Sequence, residues 1–559
     1  MKRNNLILFY FCIFFFICFN ADAQLNKEGV LPKLKQHILI LSHDSLKGRE
    51  TGTREEKIAA EYIREQFKTV GLTSYKTSED YFHTYTFTKD VKVSPNTSLS
   101  AGKKKFKLND EFYPLAYSDT GSVNGRLFDL GYGISTPDLD HDDYKKKINY
   151  IGGIFLIDIA SPDGSHPHSK FAEVNDIRQK IDLAIKRGAK GILFHNSDEK
   201  LDDPSSLLSS KITASQIPVA FIKNNAKDFL KEGNEVSLNI YFEKNIATGI
   251  NVAGYLNNNK EHTIILGAHY DHLGMGDHGS MHRGEPAVHN GADDNASGVA
   301  GMIELARYFN NSDLKNYNYL FVAFSGEEMG LYGSRNFAND ELFDPTVANA
   351  MLNFDMIGRL DTTEKILIIN GTGSSALWDT LLNSIKVQGI EKIKTTSSGI
   401  GPSDHTSFYL KDIPVLHFFS GTHADYHKPS DDEHLINYSG LISILNYVVN
   451  LTEELDKRPK LEFSKTKEET ESTPRFKVTL GVVPDYTFEG EGMRIDGVSP
   501  DKPAEKAGLK AGDIVIQMGD IKVFDMMSYM KGLSAFSKGD KTIVKIKRGE
   551  EIIEKEIAF

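Results

Sequence analysis

At 559 residues with 40% hydrophobic content, the chain is long enough for several domains with substantial cores. Its net charge of −12 argues against nucleic acid as a partner. The only cysteines are Cys12 and Cys18, which leaves no basis for a disulfide framework or for cysteine-based catalysis.

The amino terminus reads as a secretory signal over residues 1–23. Lys2 and Arg3 precede the apolar run Leu6 to Phe19, and Ala21-Asp22-Ala23 offers a small-x-small cleavage site. The run is too short for a stable membrane span. Ile17 before Cys18 is the wrong residue for lipoprotein processing, and both cysteines would leave with the signal, so the mature chain is expected to be secreted or periplasmic. Next, Thr53-Arg54-Glu55-Glu56 predicts a capping box, with Ile58, Ala59, Tyr62, Ile63, Phe67 and Val70 on one helical face and Gly71 as the stop. Between about 97 and 245 lie strand runs at Gly153 to Ile159, Gly191 to Phe194 and Pro218 to Ile222, with a helix from Asp176 to Arg187.

Five segments further on each carry a metal-ligand side chain: Ala268-His269-Tyr270-Asp271, Gly291-Ala292-Asp293-Asp294-Asn295-Ala296-Ser297-Gly298, Ser325-Gly326-Glu327-Glu328, Asn353-Phe354-Asp355-Met356 and Asp425-Tyr426-His427-Lys428-Pro429. Thr263 to Ala268 reads as a buried parallel strand, which puts His269 at its carboxyl end, where open α/β sheets place their sites. Asn318 to Phe324 and Ala348 to Phe354 deliver Glu327, Glu328 and Asp355 in the same way. Ser297 to Phe309 alternates as an amphipathic helix with Asp294 near its amino end. Two histidines, two aspartates and a glutamate suit a pair of zinc-like ions, because imidazole and carboxylate satisfy borderline divalent metals and a carboxylate can bridge them. Glu327, beside Glu328, is then free to move protons.

The order and wording of these segments resemble the M28 family of co-catalytic zinc peptidases. There the His of A-H-x-D, the Asp of D-x-x-S-G, the second Glu of the E-E pair, the Asp of D-M and the His of Y-H bind metal. The resemblance implies His269, Asp294, Glu328, Asp355 and His427 as ligands of two zinc ions, with Asp294 bridging and Glu327 as general base. Asp294 is preferred to Asp293 because it stands three residues before Ser297-Gly298. The implied fold is the zinc exopeptidase one: α/β, a mixed, mostly parallel sheet flanked by helices, over residues 24–96 and 246–455. Lys180-Ile181 through Gly188-Ala189 to Gly191-Ile192-Leu193-Phe194 resembles a protease-associated domain, an α+β unit here inserted over 97–245.

On this reading two cations about 3.5 to 4 Å apart polarise the scissile carbonyl and lower the pKa of a shared water from about 15.7 toward 7. Glu327 takes the water's proton and passes it to the leaving amine. Asp271 is expected to accept the imidazole N–H of His269, and Tyr426 to donate to the oxyanion as the equivalent Tyr does in some relatives. His141, His166, His168, His195 and His423 lack partners at ligand spacing and read as surface or loop groups. Ser403-Asp404-His405 is no catalytic triad, since neighbours in a chain point different ways and no G-x-S-x-G elbow accompanies them.

From Glu453 to Arg475 the chain is charged and reads as an exposed linker, assigned to 456–473. Beyond it Leu480-Gly481-Val482, Pro503-Ala504, Ala507-Gly508-Leu509 and Gly512-Asp513-Ile514-Val515 resemble a PDZ domain of the bacterial protease type over 474–559. In that fold a peptide adds as a strand beside Thr479-Leu480-Gly481-Val482. The linker predicts a PDZ unit that stands apart from the chemical step. The whole reads as a secreted dizinc exopeptidase acting on peptides, an aminopeptidase in the first place. The alternatives are a carboxypeptidase or glutaminyl-cyclase-like enzyme on the same scaffold, and an inactive peptide-binding receptor.

Overall fold

The computed structural model describes residue 25 and residues 27–559, apart from 77–79, 146–148, 165–168, 172–173, 207, 209–213, 467–477, 485–490, 499–501, 525, 537–538 and 550. The signal segment with both cysteines, His166 and His168 lie outside the described residues.

A nine-stranded mixed sheet organises the part of the chain that carries the five ligand-type segments. Its path runs through strands 73–74, 242–256, 318–324, 263–269, 348–354, 415–419, 366–370 and 392–396, with 82–93 paired to 242–256. The centre is parallel: Thr263–His269 lies between Asn318–Phe324 and Ala348–Phe354, and the latter pairs in parallel with Val415–Phe419. These strands are buried on both faces, which is why each reads as a near-continuous apolar run. Ile264, Leu266, Phe321 and Leu352 pack under helices Lys27–Leu41, Arg54–Val70, Gly298–Asn311 and Tyr438–Asp456. Ile265, Val322 and Met351 face the opposite layer with Phe337 and Phe408, from helices Tyr332–Ala338 and His405–Tyr409.

Helix Arg54–Val70 starts and stops where the sequence signals it. Thr53 accepts the N–H of Glu56, and Gly71 closes the helix in the left-handed region at φ 91°. Two details differ from expectation. Ile58 is 41% exposed, and the buried stripe includes Glu56 and Ala60 in its place. The Glu56 carboxylate reaches the N–H of Gly52 at 2.7 Å, together with Ser325 and the hydroxyl of Tyr270.

The long strands Phe82–Val93 and Phe242–Leu256 form an antiparallel ribbon whose far ends lead into and out of a second sheet. That sheet has eight strands in the order 104–106, 98–101, 235–240, 121–129, 154–158, 191–195, 219–222 and 112–114, with helix Ile177–Lys186 against it. The three strand runs and the helix read from the sequence of this region all form. His195, expected at the surface, lies instead in a buried strand, 3.8 Å from the carboxylate of Asp158. A six-stranded sheet closes the chain, in the order 482–484, 493–498, 514–518, 541–548 and 551–558, with 521–522 on 514–518. Its core contains Leu480, Met493, Val515, Met518 and Val544.

The segment read as an exposed linker is exposed at Lys457 to Pro459, Glu462 and Lys465 but is pinned at two points. Leu461 is buried and its N–H bonds to Asn349, and Thr466 is buried with its N–H on the hydroxyl of Tyr409. Charge density around residue 465 masked these anchors, because one Leu and one Thr suffice to pin an extended segment to a groove. Residues 467–473 of that reading lie outside the described residues.

Candidate metal centre

His269 ends its strand, and Glu327, Glu328 and Asp355 follow theirs directly, so all four side chains emerge at the carboxyl edge of the sheet. Asp294 comes from the turn Ala292–Ser297 that leads into helix Gly298–Asn311, and His427 from the loop after strand Val415–Phe419.

Asp294 is the pivot. Its Oδ1 lies 3.3 Å from Nε2 of His269, and its Oδ2 lies 3.3 Å from Nε2 of His427. Asp355 Oδ1 is 3.2 Å from the same nitrogen of His269, and Glu328 Oε2 is 3.4 Å from that of His427. Two half-sites therefore share one carboxylate. Both rings are turned by their second nitrogen, which faces a main-chain carbonyl: Asp271 for His269 at 3.2 Å and Gly279 for His427 at 2.9 Å. That leaves each Nε2 lone pair for a metal. Imidazole, terminal carboxylate and a bridging carboxylate in each half-site form a donor set suited to zinc-like ions.

The concentration of charge sets the titration of the cluster without metal. Burial opposes protonation of His427, but Glu328 and Asp294 outweigh it and raise the ring to about 9. His269 is likewise held well above its ordinary value: burial opposes the charge, and Asp355, Glu327 and Asp294 override it. Glu327 is pushed well up by burial and by the neighbouring carboxylates of Asp355, Glu328 and Asp404. Like charges this close, in a dry pocket, call for cations.

Asp293 and Asp294 are neighbours with separate duties. Asp293 Oδ1 accepts the N–H of Gly358 at 2.6 Å and the hydroxyl of Ser297 at 2.8 Å, and its other oxygen sits 3.3 Å from Nε2 of His423. It is thus turned into a buried network, while Asp294 faces the cluster. His423, expected as a surface or loop group without a partner, does lie in a loop but is paired with Asp293 and has a side chain only 10% exposed.

Asp271 also differs from expectation. Its carboxylate is 3.7 Å from Nδ1 of His269, farther than its own carbonyl, because the two oxygens are taken by the hydroxyl of Thr51 at 2.8 Å and the N–H of Glu327 at 3.2 Å. Tyr426 lines the same cavity and stacks on His427 with ring centroids 3.8 Å apart. Ser403, Asp404 and His405 do point different ways: Ser403 donates to Asp355 at 2.7 Å, and His405 stacks on His417 at 4.8 Å.

Sequence reasoning missed four residues here. His272 Nδ1 lies 2.7 Å from Oε1 of Glu328, which makes His272, Asp294 and Glu328 a second grouping of ligand type. Its proximity to Ala268-His269-Tyr270-Asp271 was the available signal. Asp431 Oδ2 accepts the N–H groups of both Asp293 and Asp294 at 3.0 Å. Arg49, fully buried, donates to the carbonyls of Tyr270, Leu41, Asn290, Gly291 and Asp294. Thr51 holds Asp271. Neither Arg49 nor Thr51 carries a local signal for the site, since their bonds to the strand end and the Asp294 turn cross more than two hundred residues of sequence.

The cavity over the cluster has a volume of about 220 Å³, and Val482 and Pro484 form part of its wall. The PDZ unit also reaches the loop before the metal turn through the ion pair Arg283–Glu505. In space this unit therefore adjoins the cavity, where the linker predicted one standing apart.

Residues 251–452 match the model of peptidase family M28, and residues 464–558 match a PDZ domain model. The chain thus carries an M28 peptidase domain followed by a PDZ domain. It is 28% identical over 271 residues to Aminopeptidase YwaD of Bacillus subtilis, covering 46% of this chain and 55% of the relative. It is 25% identical over 275 residues to a probable lipoprotein aminopeptidase, LpqL, of Mycobacterium tuberculosis, covering 46% and 51%. The chain spans about half the length of these curated relatives. Among solved structures, an aminopeptidase from Aneurinibacillus sp. strain AM-1 aligns with 80% of this chain and 97% of its own at 24% identity, with a TM-score of 0.45.

Proposed function

We propose that this chain is a zinc-dependent exopeptidase that removes amino-terminal residues from peptides, exported to the periplasm or the medium. The observation that carries the reading is the placement of Asp294, with one oxygen 3.3 Å from each of two histidines that bring their own terminal carboxylate. His269, Asp355 and Asp294 would hold one zinc ion, and His427, Glu328 and Asp294 the other. Two such ions, when bound, polarise the scissile carbonyl and acidify a water.

The chain's own residues supply the rest. Glu327, adjacent to a ligand but outside both half-sites, accepts the water's proton and returns it to the leaving amine. Asp271 fixes the backbone of Glu327 through the N–H it accepts. Tyr426, which lines the cavity and stacks on His427, we read as the donor to the oxygen that gains charge. A cavity of about 220 Å³ is smaller than the roughly 300–1,000 Å³ of drug-sized ligand sites, so it suits the end of a chain better than its middle. The α-ammonium of a free amino terminus suits the surrounding carboxylates, and the matched relatives bear aminopeptidase names. Two complete half-sites favour this reading over a single-ion cyclase. Residues 97–245 we read as a protease-associated insert that shapes access to the cleft.

The test is the polarity of cleavage. The zinc-loaded chain is expected to release the first residue of a free peptide, to lose that activity when the amino end is acetylated, and to tolerate amidation of the far end. Release from the carboxyl end, or equal cleavage of acetylated peptides, would overturn the aminopeptidase assignment.

A further inference from the structure

Strand Val482–Pro484 is an edge strand. It pairs antiparallel with Met493–Val498 on one side, and among the described residues its other side pairs with nothing. An open strand edge in this fold is where a peptide adds as an extra strand, held by main-chain hydrogen bonds. In a free-standing PDZ unit that edge would face solvent. Here two of its three residues, Val482 and Pro484, wall the same cavity as His269, Asp294, Glu327, Glu328, Asp355 and His427.

The seating of the PDZ unit fits this arrangement. Gly497 and Val498, on the strand paired with Val482, share a second cavity with Met281 to Arg283 and with the Thr422–Lys428 loop that carries His427. Arg283 is paired with Glu505 from the PDZ helix Pro503–Lys506. The peptidase loops that hold ligand and rim residues are thus the ones on which the PDZ unit rests, and strand Val482–Pro484 stands in the wall of the metal cavity.

We infer that the ligand of the PDZ unit is the substrate itself: the extended residues that follow the scissile bond add along strand Val482–Pro484 while the amino-terminal residue occupies the metal cavity. This deepens the proposed aminopeptidase reading and rests on it. Continuity favours this occupant, since a cavity sized for a chain end has in its own wall the strand that could accept the chain that follows. Recognition along the edge is through main-chain carbonyls and the N–H groups other than that of Pro484, which has none, so it is indifferent to side-chain identity beyond the alternate positions that face Val482 and Pro484. A separate protein ligand captured by its free carboxyl terminus is the competing occupant.

The experiment uses the full zinc-loaded chain and three probes: an aminoacyl-arylamide, hexapeptides with a free amino end, and the same hexapeptides N-methylated in turn at the third, fourth and fifth amides. Hexapeptides are expected to be cleaved with higher kcat/KM than the arylamide. At least one N-methyl group should raise KM by about tenfold, the loss of one main-chain hydrogen bond with its neighbour disturbed. Val482→Asp should lower kcat/KM for the hexapeptide more than for the arylamide. If all N-methylated peptides match the parent while the arylamide is hydrolysed, the inference is overturned and the proposed activity stands. A hexapeptide effect that vanishes on amidation of the far carboxyl end, with no N-methyl effect, would assign the edge to carboxyl termini and also overturn it. Failure to hydrolyse any of the three probes would overturn the aminopeptidase reading and the inference with it.

Discussion

The main-chain N–H of Glu327 donates to Oδ1 of Asp271 at 3.2 Å. The second oxygen of that carboxylate takes the Thr51 hydroxyl, so a loop ahead of the helix Arg54–Val70 helps to hold the backbone of the proposed general base. Asp271→Asn is expected to lower kcat by about 10- to 100-fold, the usual scale for a group that orients catalytic or ligand residues, with both metals still bound. Metal analysis and kcat on one preparation check it, and wild-type turnover would show that Asp271 only fastens the loop.

Glu327→Gln keeps shape and loses the proton acceptor. It is expected to lose about 10²- to 10⁴-fold in kcat, with melting temperature and zinc content unchanged. Near-wild-type turnover at full zinc content would assign the proton transfer elsewhere.

Glu56, which belongs to neither half-site, predicts a pH effect on stability. Burial raises its carboxyl from the ordinary 4.5 to about 7, against the lowering effect of its bonds to Ser325 and Gly52. Because the folded value is the higher one, the stability this group lends is complete below about 4.5 and is lost as pH rises through about 7. Glu56→Gln removes that loss. The variant should gain stability over the wild type, on the order of 2–3 kcal/mol, between pH 5 and pH 8. Thermal unfolding at the two pH values measures it, and a constant difference would place the titration elsewhere.

Arg49 is a buried cation on which burial, opposed by the carboxylates of Asp294, Asp271 and Asp431, leaves a lowered pKa of about 10. Its guanidinium serves five main-chain carbonyls. Arg49→Met strands these acceptors at about 1–3 kcal/mol for each that finds no water. We expect a loss of at least about 3 kcal/mol in urea unfolding, together with weakened zinc binding, since Asp294 rides on that turn. Arg49→Lys should recover little, because an ammonium cannot reproduce the planar fork.

Much of the site could be read in the sequence because strand ends advertise it. Thr263–His269, Asn318–Phe324 and Ala348–Phe354 are apolar runs that end at, or within four residues of, a candidate ligand, and the carboxyl edge of a parallel sheet gathers whatever stands there. The rest is long-range. Arg49 and Thr51 look like ordinary loop residues until the fold carries them to the strand ends, and Asp431 matters through two N–H groups more than 130 positions away. His423 read as a surface residue because its partner Asp293 lies far off in sequence. The position of strand Val482–Pro484 over the cavity follows from how two units dock, which no local pattern encodes.

The most direct test of the proposed bimetal centre is a zinc titration of the chelated chain in which bound metal and aminoacyl-arylamide hydrolysis are followed together, for wild type and for Asp294→Ala. The wild type should reach full activity at two zinc ions per chain. Asp294→Ala, which removes the carboxylate shared by both half-sites, should bind metal far more weakly and remain inactive at the zinc concentration that saturates the wild type. Full activity in the Asp294→Ala chain, or in wild type stripped of metal, would contradict the account.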